Sequence, residues 1–181
     1  EKIDFLELMQ FCVQEGPLAL SHYYHYLDLG FQFTALAGSD FPWCGRGPRF
    51  GVAEGCSQIG GSGGCSQIGD VRFYTYTGDE FSFDRWLAGV KAGHTFVTSG
   101  PMLELTVNDR IPGDTLNVVR GTKIRISARP YGQASQIPLT DLGIVGHGNI
   151  LGAVSAEEPG QSVERLSIDM ELPVDYGIWI A

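Results

Sequence analysis

The rhythm of the chain changes once, at Gly100-Pro101, and that change limits the architectures open to it. Residues 3–13 form a mostly apolar run interrupted by Asp4, Glu7 and Gln10, as in a buried strand, and Gly16-Pro17 ends it. Residues 18–29 then carry Leu20, Tyr23, Tyr24 and Leu27 at helical spacing, with Gly30 where a helix C-cap belongs. A short apolar strand over 31–37 runs into Gly38-Ser39-Asp40. The same order returns downstream: a strand over 71–76, a helix capped by Ser82 and closed by Gly93, with Phe83, Trp86, Leu87 and Val90 on one face, and a strand over 94–98. Strand-helix-strand repetition predicts part of a parallel α/β sheet or barrel over residues 1–100.

Beyond Pro101 the helical spacing stops. Apolar alternation over 102–107, 123–128, 142–145, 149–154, 164–170 and from 178 onward, with a turn at Asn108-Asp109, predicts a small antiparallel sandwich over 101–181. The expected fold class is therefore α/β followed by all-β.

A length of 181 residues with 43% hydrophobic residues is enough for a sizeable core. A net charge of -9 is the wrong sign for a phosphate-neutralising surface, so nucleic acid is not an expected partner. No run reaches the roughly 18 apolar residues that cross a bilayer, and no membrane partner is expected. The chain opens on strand-like sequence at Glu1 without a basic and apolar leader, and closes on the apolar stretch Tyr176-Gly-Ile-Trp-Ile-Ala181, which reads as a fragment and leaves the compartment open. Cys12, Cys44, Cys56 and Cys65 include no C-x-x-C pair and are read as free thiols. Gly55-Cys-Ser-Gln-Ile-Gly60 recurs letter for letter as Gly64-Cys-Ser-Gln-Ile-Gly69. Two copies are too few for a stacked β-helix, so the Gly/Ser-rich stretch 53–69 is read as a flexible loop or a duplication.

Asp40 is the foremost candidate for chemistry, because a carboxylate in a turn just past a strand's carboxyl end is placed to ligate a metal or to move a proton. An Asx-turn or helix cap is the plain alternative. Glu7, inside an apolar strand, must be paired, metal-bound, facing a cavity or at a sheet edge, since an unpaired buried carboxylate is costly. His22 and His25 share a helix face at a spacing that suits two metal ligands, or an ordinary polar surface. His94 and His147 read as structural. Ser39 and Thr98 offer hydroxyls at strand ends for substrate binding, but no nucleophile elbow accompanies them, which argues against a serine hydrolase.

Taken in order, Leu29-Gly-Phe31, Ala37-Gly-Ser-Asp40, Phe81 to Trp86, Ala92-Gly-His-Thr-Phe-Val-Thr-Ser-Gly-Pro101, Leu105-Thr-Val-Asn108 and Pro112-Gly-Asp114 resemble the carbaryl-hydrolase-like branch of the PHP (polymerase and histidinol phosphatase) metal-dependent hydrolases. Residues 93–114 are the most specific part. The resemblance implies the C-terminal part of a distorted β/α barrel over 1–100 that holds divalent zinc, manganese or iron at its strand ends, and a β-rich domain over 101–181. Asp40 then matches a metal-ligand aspartate. In that class a ligand histidine commonly follows it, whereas Phe41-Pro42 stand here, and the early His-x-His motif would lie upstream of Glu1.

Two functions are expected from different classes. One is a hydrolase of esters, amides or phosphoesters in which a metal activates water at Asp40, the site being incomplete in this chain and the partner a small-molecule substrate. The other is a non-catalytic module whose β-rich part binds a carbohydrate or a protein through Tyr131, Tyr176 and Trp179, with the α/β part as support. Open sheet edges would favour a homo-oligomer in either case.

Overall fold

A computed structural model describes residues 3–10, 16–38, 71–132, 139–156 and 165–181. The chain divides into two compact units, Glu1–Ser99 and Gly100–Ala181.

Unit 1 begins with β1 (Phe5–Gln10), α1 (Gly16–Asp28) and β2 (Thr34–Gly38). β1 and β2 are parallel neighbours, with Phe5 beside Thr34 and Gln10 beside Gly38, so their carboxyl ends coincide. α1 begins at Gly16-Pro17, where the fixed φ of proline suits a first turn. It ends through Gly30 at φ +85°, a left-handed conformation that glycine adopts without a Cβ clash. The Tyr23 hydroxyl donates to the Phe33 carbonyl at 3.1 Å, tying α1 to the approach of β2. Burial, and after it the neighbouring Tyr24, pushes the Tyr23 phenol above its ordinary pKa.

β3 (Arg72–Thr75), α2 (Phe83–Ala92) and β4 (Thr95–Thr98) follow. Ser82 caps α2 by accepting the Arg85 amide at 3.2 Å, and Gly93, at φ +79°, closes it. β3 and β4 are antiparallel, with Arg72 beside Thr98 and Thr75 beside Thr95. Strand-helix-strand spacing led us to expect a parallel pair. The difference lies in where the helix lands. Gly89 sits so close to the end of β3 that a Cβ on it would stand 2.6 Å from the Tyr76 carbonyl oxygen, and the Tyr76 amide donates to the His94 carbonyl at 2.9 Å. The chain thus re-enters the sheet at the end it left. Two threonine hydroxyls join the elements: Thr34 donates to the Val90 carbonyl and Thr95 to the Ala35 carbonyl, each at 3.0 Å.

Unit 2 is built from β5 (Met102–Val107), β6 (Thr122–Tyr131), β7 (Asp141–Gly146), β8 (Asn149–Ser155) and β9 (Ile168–Val174). β6 lies between β5 and β9 in an antiparallel three-stranded sheet, and β7 pairs with β8 as a separate hairpin. Alternation along β6 turns Ile124, Ile126 and Ala128 inward, where they meet Leu142 and Ile144 of β7 in one buried cluster. A tight turn follows β5, with Asn108 and Asp109 at φ +47° and +63°. The Asn108 amide donates to the Arg125 carbonyl at 2.8 Å, and its Oδ1 accepts the Arg125 amide at 2.7 Å, so one residue extends the β6 ladder past the end of β5. Asn108→Ala removes that acceptor and forces alanine into the left-handed region. It is expected to lower the stability of unit 2 by about 1–2 kcal/mol, against a smaller loss for Asn108→Gly, read by thermal or denaturant unfolding.

These observations correct the expected fold class. The described residues form small sheets of two or three strands with two short helices, and no barrel closes. The chain is not a β/α barrel portion followed by a sandwich. Among the described residues, no helix is long and apolar enough to cross a membrane.

Candidate functional site

In a parallel pair the carboxyl ends of both strands open onto the same edge, where ligand sites are commonly built. β1 and β2 bring two features to that edge. Glu7 stands at the middle of the five ladder pairs, beside Leu36 and two pairs before the Gln10–Gly38 end. Its Oε1 reaches along the strands to within 3.2 Å of where a Cβ on Gly38 would stand. The absence of a side chain at Gly38 therefore makes room for the Glu7 carboxylate. Glu7 is exposed, so the cost of burying a carboxylate does not govern it, and the sheet-edge alternative describes its setting. Ser39 and Asp40 follow Gly38 in the chain and lie outside the described residues, as does the Gly/Ser-rich repeat.

The other candidates sit elsewhere in unit 1. His22 and His25 are both exposed on α1, the His25 ring 6.4 Å from that of Tyr26. Thr98 closes β4 and is buried, at the position beside Arg72. Among the described residues, no group of three or more His, Cys, Asp or Glu side chains could hold a metal ion, so Glu7, His22 and His25 are not gathered into one cluster.

Unit 2 presents two further surfaces. The outward side of β6 carries Lys123, Arg125, Ser127 and Arg129, and with Thr106, Asp109 and Asp169 the last three line an open recess of about 230 Å³. Its cations are matched by carboxylates. Arg129 reaches both Asp169 oxygens, at 3.1 and 2.9 Å, and also donates to Ser127. Arg125 meets Asp109 at 2.8 Å, and Lys123 meets Glu171 at 3.2 Å. Such a self-neutralised face has little pull on an anion, and each exposed pair adds only about 0–1 kcal/mol. Tyr131 belongs to this face: its hydroxyl donates to Glu104 at 3.0 Å, a bond that foremost holds its phenol above the ordinary range, and the Arg165 guanidinium lies 5.6 Å from its ring centre. At the start of β7, the Ser155 hydroxyl donates to Asp141 at 2.6 Å and holds that carboxyl below its usual pKa.

The second surface is aromatic. Tyr176 lies 6.0 Å from the His147 ring at an interplanar angle of 26°, and Trp179 meets His147 edge-on at 5.9 Å.

No family model, no curated protein and no solved structure matches this chain.

Residue-by-residue reading missed the place of His147. His147, structural by its sequence, sits in a turn that sets its ring against Tyr176 and Trp179. The Gly146-His-Gly148 sequence announces a tight turn, whereas nothing in it announces which distant rings the turn will meet. The paired charges of β6 were legible as alternation, and their partners on β9 follow only from register.

Proposed function

We propose that the carboxyl edge of β1 and β2 is part of a metal-dependent hydrolytic site acting on an ester, amide or phosphoester. The observation that carries this reading is the Glu7 carboxylate lying over Gly38, two residues before Asp40. Space kept clear by a glycine and filled by a carboxylate suits a hard divalent cation, which takes oxygen donors. The likeness of the Gly-Ser-Asp turn to a metal-ligand turn supports the same edge.

Glu7 would hold the ion from β1, and Asp40 from the segment that follows β2. Two carboxylates fall short of the three protein ligands usual at a hydrolytic centre, so further donors would be needed to complete it. A divalent ion held there supplies Lewis-acid chemistry, polarising the scissile group and making water acidic. Gly38 acts by leaving Glu7 its position.

The test is hydrolysis of p-nitrophenyl acetate and bis(p-nitrophenyl) phosphate with added zinc, manganese or iron. Turnover that a chelator abolishes and that Glu7→Gln lowers by about 10–100-fold is the expected result. Turnover indifferent to chelator and to Glu7→Gln contradicts the reading.

A further inference from the structure

The His147-Gly148 turn joins β7 to β8 with φ +47° and +69° at its two central residues, the backbone of a tight hairpin. A left-handed non-glycine residue is uncommon, histidine being among the types that adopt it most readily, and such positions cluster at functional sites. Its ring is fixed from three directions. Nε2 donates to the Gly177 carbonyl at 2.8 Å, Tyr176 lies nearly parallel to it, and Trp179 meets it edge-on. The segment carrying both aromatics is itself pinned. Val145 and Ala181 exchange backbone hydrogen bonds of 2.7 and 2.8 Å, and Gly146 is packed so tightly that a Cβ on it would stand 2.9 Å from Ile178 Cδ1 and 3.1 Å from the Trp179 carbonyl oxygen.

Tyr176 is nonetheless 69% exposed, and Ile150, just after the turn, 72%. One exposed ring over a rigid support is far smaller than the roughly 20–30 residues a side that a stable protein interface engages. The scale is that of a small ligand. Polar residues accompany the rings: the Asn149 amide donates to the His147 carbonyl at 2.9 Å, and Asp175, which precedes Tyr176 in the chain, lies 3.8 Å from Arg120. The net charge of -9 disfavours anionic ligands.

We propose that Tyr176, stacked with His147 and backed by Trp179, is a platform for a neutral saccharide ring. A pyranose offers an apolar face of C–H groups to the tyrosine ring and hydroxyls at its edge to neighbouring polar groups such as Asn149. Pre-set rings spare the ligand the ordering cost of a mobile site.

Titration of the full chain with methyl glycosides and short oligosaccharides of glucose, galactose, mannose and N-acetylglucosamine, followed by amide NMR shifts, tests the assignment. Expected are saturable shifts confined to residues 146–150 and 175–179 with at least one of these sugars. Tyr176→Ala should weaken that binding about tenfold and Tyr176→Phe, which keeps the ring, by less than about threefold. Tyr176 is exposed, so its replacement should leave the rest of the amide spectrum unchanged. Absence of shifts with every sugar at millimolar concentration overturns the proposal. So does binding that Tyr176→Ala leaves intact, and so does tighter binding of adenosine than of any saccharide, which would mark an aromatic-ligand site instead.

Discussion

Ile126→Ala is expected to destabilise unit 2 by about 2–5 kcal/mol, the largest effect of any single substitution considered. Ile126 is 0% exposed at the middle of β6, with Ile124 and Ala128 on either side of it on the inward face and Leu142 and Ile144 in the cluster opposite. β6 is the one strand of the sheet with neighbours on both sides, so the cavity left by the lost carbons cannot close by shifting an edge. A small unit has only about 5–15 kcal/mol in hand, and the loss should appear as a much lower unfolding midpoint and faster amide exchange along β6. Val119→Ala, at a side chain 79% exposed, should change neither. Equal effects of the two substitutions would mean that the cluster is not the core of unit 2.

Gly89→Ala sets two effects of opposite sign against each other. Helix propensity alone favours alanine over glycine by about 1 kcal/mol inside α2. The new Cβ, however, would stand 2.6 Å from the Tyr76 carbonyl oxygen and 2.7 Å from Thr75 Cγ2, and the carbonyl belongs to backbone that pairs with His94. Overpacking against backbone costs about 1–3 kcal/mol or more, so a net destabilisation of about 2 kcal/mol is expected in unit 1. Ala88→Gly, on the exposed side of the same helix, should cost about 1 kcal/mol by propensity alone. Stabilisation by Gly89→Ala would contradict the contact that makes β3 and β4 antiparallel.

That contact also marks where the sequence stopped being readable. Helix α2 was legible from end to end, because Ser82 and Gly93 are local signals and the apolar face of Phe83, Trp86, Leu87 and Val90 has a period of its own. The direction of the strand after it was not, since periodicity reports element type while direction depends on which end of β3 the helix meets. β5 and the Asn108-Asp109 turn were readable for the same local reasons. β6 runs to Tyr131, past the Ala128 at which the alternation was ended, because Pro130 pairs only with Leu103 of β5 and the β9 ladder has already stopped at Ala128, so its missing amide leaves no bond broken on that side. β9 lies at Ile168–Val174 and includes Pro173, tolerated on an edge strand, whereas the reading had favoured 164–170. No strand is named beyond residue 178; that segment is held through Val145 and Ala181.

Of the candidate site, Glu7 within a strand and Asp40 just past the end of another were visible as carboxylates, and the approach of Glu7 to Gly38 was not, because it depends on the parallel register of β1 with β2. The aromatic cluster was visible only as two of its three rings.

The central claim is that the edge formed by β1 and β2 helps hold a divalent ion, and metal content measures it most directly. Protein purified without chelator or affinity metal is compared with Glu7→Gln and Asp40→Ala by mass spectrometry. Near-stoichiometric zinc, manganese or iron that falls in both variants, while their unfolding midpoints in chelator match the parent chain, is the predicted result. Metal absent from all three proteins, or retained undiminished in both variants, contradicts it.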